Sequence, residues 1–331
     1  MSCLFALLAT LAATAQTVSA DPLKIRLDWV TTPGELAPIL FAHPGIAVHE
    51  GSSYVLELIH FTGGPLSVTA LASNEVDIGG FGYGTIGTAI ENAGLSDLRV
   101  IGDVEQDGVP GWYSNGFIVL NDSPIRTVDD MKGKILAVNK IGSVQDIGGR
   151  AMLRKHGIDD RKDLTIIEAA YPNMKAVLAG RKADIVVVIP PFAQDPELRQ
   201  IARVLFTMAD AVGKTQVSAL VARASFIAEH RGAVIDFLED DIRATRWYLD
   251  PANHQEAVHI VADFLKQPPE VFAPWVFTHD DQFRDPDVLP DVSVLQANLN
   301  TLYRFGLLKS PLDIGSYVDL SLVKEAAARI R

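Results

Sequence analysis

The sequence has almost no cysteine: Cys3 is the only one among 331 residues. Cys3 also lies in a leader-like segment that we expect to be removed, as argued below. The remaining chain would then offer no pair of thiols for a disulfide bond and no thiolate nucleophile. This absence excludes cysteine-based catalysis and a disulfide-stabilised fold.

Positive charge is also scarce. Lys and Arg number 29 against 41 Asp and Glu, which gives a net charge of −12, and no run of Lys or Arg occurs. An acidic balance of this kind argues against a nucleic-acid-binding or anionic-membrane-binding surface. Beyond the first 20 residues, no apolar run reaches the length that a membrane-spanning helix needs.

Common catalytic and cofactor motifs are missing as well. The chain has no G-x-S-x-G and no P-loop lysine motif, and the glycine run at 79–84 lacks the third glycine of a dinucleotide fingerprint. The histidines are scattered, and His254 and His259 are five residues apart, so they do not share a helix face. We therefore predict no enzyme activity, no cofactor and no metal site.

The first 20 residues differ from the rest of the chain. They contain no charged residue, carry an apolar run at 4–9, and end in Val18-Ser19-Ala20 before Asp21. This small-x-small ending is typical of a secretory signal peptide, with cleavage near Ala20 and export to the periplasm. The segment lacks the usual basic residue near its start. A membrane anchor is the alternative, but the apolar run is short for one.

An internal repeat organises the rest of the sequence. Leu71-Ala72 is followed by Asp77-Ile78, and 107 positions later Leu178-Ala179 is followed by Asp184-Ile185. Both copies have the pattern of a helix, a turn, an aspartate and a strand. Two similar α/β lobes are predicted from this duplication. We assign Asp77 and Asp184 a structural role, because each starts an equivalent strand.

Strands and helices alternate along most of the chain, which is typical of mainly parallel sheets covered by helices. Apolar runs predict strands at 23–29, 54–59, 77–78, 98–105, 134–139, 164–169, 184–189 and 216–222. From residue 226 onward the pattern changes to helical spacing alone. There we predict helices near 233–249, 255–265, 292–305 and 320–330.

In such sheets, ligands bind beyond the carboxyl ends of the strands. Loops 29–35, 79–85 and 106–114 follow predicted strands and contain Trp29, Phe81, Tyr83, Trp112 and Tyr113. Glycines beside aromatic residues permit close backbone approach and provide apolar walls. Each of these aromatic side chains is, however, about equally suited to the core or the surface.

The Gly142-Ser143-Val144-Gln145 segment follows another predicted strand and places a serine at a helix N-cap. Free backbone N–H groups at such a helix start favour an anionic ligand group, although plain capping explains the serine equally well. Pro190-Pro191-Phe192 ends the strand of the repeat, where the prolines could also be simple terminators. Lys140 and Lys214 are expected to lie at the surface.

In their kind and order, these motifs resemble the periplasmic solute-binding proteins of ABC importers, in the branch serving nitrate, sulfonates, taurine and thiamine-pyrimidine precursors. The resemblance implies an α/β, two-lobed, type II periplasmic-binding-protein-like fold with two hinge crossovers and a helical C-terminal part. The implied division is a signal peptide at 1–20, one lobe from 21–119 and 218–331, and a second lobe at 120–217. The Pro44-Gly45 break departs from the family's usual continuous helix.

The resemblance also implies a function: a monomer that closes on a small organic solute between its lobes and delivers it to a membrane permease. Because the site shows no obvious Arg, nitrate is disfavoured against a sulfonate, taurine or an aromatic carboxylate. The alternative is a thiamine-pyrimidine-synthase-like enzyme or a pyrimidine-precursor binder on the same fold. Carried over to this chain, the ligand-binding residues are Trp29, Thr31, Thr32, Glu35, Phe81, Tyr83, Gly84, Thr85, Trp112, Tyr113, Gly142, Ser143, Val144, Gln145, Pro190 and Phe192.

Overall fold

The computed structural model describes residues 21–30, 34–276 and 278–330. The predicted signal peptide and two predicted ligand-binding residues, Thr31 and Thr32, lie outside the described residues. In the described part of the chain the strands are β1 (Leu23–Trp29), β2 (Tyr54–His60), β3 (Ile78–Gly82), β4 (Leu98–Asp107), β5 (Gly116–Leu120), β6 (Ile135–Val138), β7 (Thr165–Glu168), β8 (Ile185–Val188), β9 (Ala202–Thr207) and β10 (Thr215–Arg223).

The α-helices cover these strands and form most of the C-terminal part. They are α1 (Ala37–Leu40), α2 (Gly64–Ala72), α3 (Tyr83–Asn92), α4 (Val144–Lys155), α5 (Met174–Ala179), α6 (Pro196–Ile201), α7 (Met208–Val212), α8 (Ala224–Leu249), α9 (His254–Leu265), α10 (Val292–Arg304) and α11 (Ser321–Arg329). The four long C-terminal helices match the predicted segments, although α8 begins nine residues before the predicted start at 233. Among the described residues, none of these helices has the length and apolarity that a membrane crossing requires.

The strands form two five-stranded sheets with the same arrangement. The first has the order β2-β1-β3-β10-β4 and the second β7-β6-β8-β5-β9. In each sheet three neighbouring strands are parallel, and the fourth strand in the order runs antiparallel to both of its neighbours. The predicted duplication is therefore real: β1, β2 and β3 correspond to β6, β7 and β8.

Asp77 and Asp184 occupy equivalent places in this duplication. The Asp77 carboxylate accepts a hydrogen bond from the backbone amide of Arg26 in β1, at 2.9 Å. Asp184 accepts one from the backbone amide of Ile135 in β6, also at 2.9 Å. Each aspartate thus ties the start of one parallel strand to its neighbour. The contacts agree with the structural role that the sequence predicts for both residues.

The glycine run at 79–84 is a strand and a helix start rather than a loop, which corrects the sequence prediction. Gly79 to Gly82 lie in β3, paired antiparallel with β10, and α3 begins at Tyr83. Glycine is required there by close packing: a Cβ added to Gly79 would lie 2.6 Å from Cε1 of Phe81, and one on Gly82 would overlap Cγ2 of Val144.

The chain passes between the sheets twice. It leaves the first sheet after Asp107 and joins the second at Gly116, and it returns between Thr207 and Thr215. Strands β5 and β9 were not predicted, because their short apolar runs lie close to turns. The apolar segment Leu36–Val48, where the Pro44-Gly45 break predicts two short helical pieces, forms only α1 and turns.

Candidate functional site

A polar cleft lies between the two sheets, at the carboxyl ends of their strands, with an internal volume of about 70 Å³. Ligands in open α/β sheets bind at this edge. The first lobe contributes Val30, Glu35, Gly63, Gly64, Gly80, Gly82, Thr85, Glu105, Val217 and Ser218. The second lobe contributes Asn139, Ser143, Val144, Gln145, Tyr171 and Ile189.

The start of α4 forms the wall contributed by the second lobe. Ser143 is the N-cap: its hydroxyl accepts a hydrogen bond from the Asp146 amide at 3.3 Å and donates to Oδ1 of Asn139 at 2.8 Å. The backbone amides of Val144 and Gln145 follow, and they have no hydrogen-bond acceptor among the described residues. Unpaired amides at a helix N-terminus suit an acceptor oxygen of a ligand.

Asp146 limits how much positive potential this helix start presents. Its carboxylate accepts from the Gly142 amide at 2.9 Å and from Nε of Arg150 at 2.9 Å. One of the helix-start donors is therefore already used by the protein itself. The wall therefore offers an acceptor its remaining amides rather than a surplus of positive charge.

The wall contributed by the first lobe carries carboxyl groups. Glu105, near the end of β4, has its Oε2 atom buried without a hydrogen-bond partner in the described chain. Burial raises the pKa of Glu105 to about 8. The charge of Arg284 acts to lower this pKa, whereas the charges of Glu35, Asp281 and Asp107 act to raise it further. Oε1 of Glu35 accepts from the Val30 amide at 3.4 Å.

Tyr171 faces these two glutamates from the other lobe. Burial, and then the carboxylates of Glu105 and Glu35, raise the pKa of its hydroxyl well above the usual value. The ring of Phe192 stacks on Tyr171 at 6.1 Å between centroids. Tyr171 is thus the one aromatic side chain that lines the cleft among the described residues.

Behind Glu35 and Gly80 lies a second, smaller cavity of about 30 Å³ within the first lobe. It is lined by further carboxyl groups, from Asp28, Asp103 and Asp241. Burial raises the pKa of Asp28 to about 6 and those of Asp103 and Asp241 to about 7. The interior next to the cleft is therefore rich in carboxyl groups that burial tends to keep protonated.

Arg284 is the buried cation of this region, and its partners are within the protein. Its Nη1 lies 3.5 Å from Oδ2 of Asp281 and donates to the Gln282 carbonyl at 3.0 Å. Its guanidinium also lies 5.2 Å from the ring centre of Tyr248. No lysine or arginine is among the described residues that line the cleft. Lys140 and Lys214 instead pair with Glu168 and Asp291, at 2.6 and 2.8 Å.

Five of the sequence-predicted ligand-binding residues meet at the cleft. They are Glu35, Thr85, Ser143, Val144 and Gln145. Eleven lining residues were not selected by sequence reasoning, and those with polar side chains are Glu105, Asn139, Tyr171 and Ser218. Glu105 and Asn139 are the last residues of their predicted strands. A polar residue ending an apolar run at a ligand-binding edge was therefore a usable signal.

The other predicted residues that the structure describes are not among those that line this cleft. Phe81 and Tyr83 are 0% and 1% exposed and belong to the core. A Cβ on Gly84 would overlap Ile147 of α4, so this glycine serves packing. Gly142 is a turn residue with φ of 85°, Pro190 is buried, and Phe192 lines a separate groove beside Tyr171.

The remaining aromatic residues make contacts of their own. Trp112 stacks on His279 at 4.7 Å between ring centroids, and Trp29 packs against His60 at 4.2 Å. The Tyr113 hydroxyl donates to the Val188 carbonyl at 3.4 Å. Each of these three aromatic residues lies next to a strand end, and each contacts other residues of the protein there.

A His-carboxylate cluster lies outside the cleft, formed by His49, Asp236 and Glu239, whose possible ligand atoms fall within 4.8 Å of one another. Both carboxylates already have cationic partners. Arg243 donates to Glu239 at 2.7 Å, and Arg329 donates to Asp236 at 2.9 Å. These guanidinium groups oppose a bound cation, and we assign no metal to the cluster.

The two lobes, the paired five-stranded sheets and the cleft between them define the fold of the periplasmic solute-binding proteins. Residues 20–262 match the model of the NMT1-like family. The chain belongs to this family. The sequence is 24% identical over 226 residues to the protein of Bacillus subtilis named as a binding protein, YtlA, covering 68% of this chain and 66% of that relative's length.

Solved structures show the same fold. The alkanesulfonate-binding protein SsuA from Xanthomonas axonopodis pv. citri, bound to MOPS, superposes with a TM-score of 0.72 at 20% identity, covering 91% of this chain and 100% of that one. The nitrate-binding protein NrtA from Synechocystis PCC 6803 gives 0.73 at 16% identity, covering 94% and 89%. The desulfurization enzyme DszB has a related fold, with a TM-score of 0.67, 15% identity and coverage of 93% and 100%. The predicted resemblance and fold class are confirmed.

Proposed function

We propose that this protein is the extracytoplasmic solute-binding component of an ABC importer. In this role it captures a small organic solute in the cleft between its lobes and delivers it to a membrane permease, without catalysis. The observation that carries the proposal is the convergence of polar groups from both lobes on one cleft at the strand ends. Membership of the NMT1-like family supports it.

The proposed working unit is a monomer with two lobes. One lobe comprises residues 21–119 and 218–331, and the other comprises residues 120–217. The two strand crossovers, within 108–115 and 208–214, would act as the hinge. Closure would bring the start of α4 toward Glu35 and Glu105, and would strengthen each polar contact to the solute by excluding water. Export through the predicted signal peptide would place the protein in the periplasm.

For one end of the solute we propose an acceptor group such as a sulfonate or carboxylate, as in an alkanesulfonate, taurine or an aromatic carboxylate. The amides of Val144 and Gln145 are positioned for its oxygen atoms, and the hydroxyl of Thr85 lies on the opposite wall. Bidentate recognition by an arginine is not available from the described lining residues. Amide and hydroxyl donors, without an arginine, suit a solute group that keeps part of its hydration when it is bound.

Calorimetry and thermal-shift measurements over sulfonates, carboxylates and aminopyrimidines test this proposal. A binder of the wild-type protein should lose about tenfold in affinity in Thr85→Val or Gln145→Ala, since each removes a polar side-chain group that lines the cleft and could form one hydrogen bond to the solute. Gln200→Ala, at an exposed glutamine, is the matched control and should bind normally. Turnover of a bound compound, or binding that ignores both cleft variants, would contradict the proposal.

A further inference from the structure

The charged residues that line the cleft are of one sign. Among its described lining residues they are Glu35 and Glu105, and the adjoining small cavity adds Asp28, Asp103 and Asp241. Arg284, the buried cation nearby, is already engaged by Asp281 and the Gln282 carbonyl. A purely anionic solute would therefore meet carboxyl groups on the wall of the first lobe, where the one cation that acts on Glu105, Arg284, does not line the cleft.

The Oε2 atom of Glu105 is the sharpest feature of this side. It is buried, it belongs to a residue lining the cleft, and no described residue gives it a hydrogen bond. Buried polar atoms in folded proteins are almost always paired, because an unpaired one loses its interaction with water. The partner this atom lacks is therefore expected to come from a molecule in the cleft.

Glu35 and Tyr171 define where that partner would lie. The charge of Glu35 acts on Glu105, and both carboxylates act on the Tyr171 hydroxyl. Glu35 and Glu105 thus lie on the wall of the first lobe, while the second lobe offers the Tyr171 hydroxyl and the Val144 and Gln145 amides. The carboxyl groups therefore line one wall of the cleft, and groups that can donate hydrogen bonds line the other.

We propose that the solute carries an amine, amidine or comparable N–H-rich group that binds Glu35 and Glu105, in addition to the acceptor group at the start of α4. This inference rests on the proposed function and narrows its substrate class to solutes with opposite polarity at their two ends. An ammonium or amidinium group donates several hydrogen bonds and carries the charge that a glutamate pair favours. A simple sulfonate or nitrate supplies neither.

Matched sets of probes test the proposal by calorimetry. One set is 3-aminopropanesulfonate, propanesulfonate and propylamine; a second is 4-(aminomethyl)benzoate, 4-methylbenzoate and 4-methylbenzylamine. In at least one set, the member with both groups should bind at least tenfold more tightly than the member without the amine. Equal or tighter binding of the amine-free member would overturn the inference and leave the proposed function standing.

Variants locate the effect. Glu105→Gln and Glu35→Gln should each remove most of the advantage of the amine-bearing probe, and Glu75→Gln, at an exposed turn, should keep it. Thermal unfolding shows whether each variant is folded. If one of the two glutamate variants does not fold, the other provides the test. An advantage that persists in both folded variants would overturn the inference. Failure of every probe to bind would instead count against the cleft as a solute site, and so against the proposed function.

Discussion

Glu105 lies near the end of β4 and lines the cleft, and its protonation state differs from that of an ordinary glutamate. Burial raises its pKa to about 8, so the empty site at neutral pH holds mostly the protonated acid. Arg284 favours the ionised form, whereas Glu35, Asp281 and Asp107 oppose it. An ammonium or amidinium group bound there would favour the carboxylate, and binding would therefore release a proton.

This coupling predicts how affinity varies with pH. The affinity for an amine-bearing probe should rise from pH 6.5 to pH 8.5, because less work is needed to ionise Glu105 as the pH passes its value of about 8. Calorimetry in buffers of different ionisation enthalpy should count close to one proton released at pH 6.5. The rise should be absent in Glu105→Gln. If the affinity instead falls over this range, the protonated Glu105 side chain donates a hydrogen bond to an acceptor on the probe.

Asp241 provides a separate test that concerns stability. Burial, with the neighbouring Asp103 and Asp240, raises its pKa to about 7. The folded state thus holds a proton that the unfolded chain gives up near pH 4, and stability is lost as the pH rises toward 7. Asp241→Asn should raise Tm at pH 8 by about 2–4 °C for each kcal/mol of unfolding free energy gained by removing the buried carboxylate. The rise in Tm should be smaller at pH 5.

Thermal melts at both pH values check this. Asp122→Asn is the control, since Asp122 and its partner Arg181 are both more than 60% exposed and such pairs contribute little. A variant that is less stable than the wild type at pH 8 would show that the Asp241 carboxylate makes a favourable interaction there.

Among the elements, β3 and β8 show most directly how the duplication is built. Each is directly preceded by an aspartate whose carboxylate accepts a hydrogen bond from a backbone amide of the neighbouring parallel strand. Asp77 additionally pairs with the Arg26 guanidinium at 2.5 Å. These contacts lie at the amino ends of the strands, at the edge of the sheet opposite the cleft.

Removing either aspartate should therefore lower the unfolding free energy without lowering the affinity for the solute. Asp77→Ala and Asp184→Ala are each expected to cost about 1–3 kcal/mol of unfolding free energy, since each leaves a strand amide without its charged acceptor. Urea denaturation measures the loss, and calorimetry below the unfolding transition should give wild-type solute affinity. A selective loss of affinity with unchanged stability would place these residues in binding instead.

Elements differ in how well the sequence predicts them. The repeat at Leu71 and Leu178, with the alternating strands and helices, was sufficient for the two-lobed fold, since helical and strand periods are local properties. The N-cap at Ser143 was likewise readable from a strand, a glycine and a serine. The strand character of Gly79 to Gly82 was not, because it depends on pairing with β10, more than 130 residues away in sequence.

The site was predicted less completely than the fold. Ser143 to Gln145 and Glu35 were selected at a helix start and a strand end, which are visible in the sequence, and they line the cleft; their role in binding stays a prediction. Whether an aromatic residue such as Phe81 enters the core or the cleft depends on the face of its strand, which the sequence alone does not fix. The presence of Glu105, Glu35 and Tyr171 in one cleft is a tertiary arrangement that no local pattern contains.

At the scale of the molecule, two glycines set how closely the lobes approach. Gly82 and Gly84 face Val144 and Ile147 of α4 so closely that a Cβ on either would overlap a side-chain methyl group. The contact joins the end of β3 in the first lobe to the helix that lines the cleft from the second. This close approach of the two lobes therefore depends on the absence of side chains at these two positions.

Gly82→Ala should hold the lobes slightly apart. We expect about tenfold weaker solute binding and a stability loss of about 1–3 kcal/mol or less, the usual cost of an overpacked contact. Small-angle scattering with and without solute should show a smaller compaction than in the wild type. Gly232→Ala, where an added Cβ meets nothing within 4 Å, is the control. Full affinity and full compaction in Gly82→Ala would show that Val144 simply moves aside.

Whether the cleft between the lobes holds a small solute is measured most directly by identifying what the protein carries. The wild-type protein and the Glu35→Gln, Glu105→Gln double variant, purified identically from the same cells, would be denatured and the released small molecules analysed by mass spectrometry. We expect one nitrogen-containing solute, close to one per chain from the wild type and strongly reduced in the folded variant. Equal release from both proteins, or no solute from the wild type after growth in several media, would contradict this expectation.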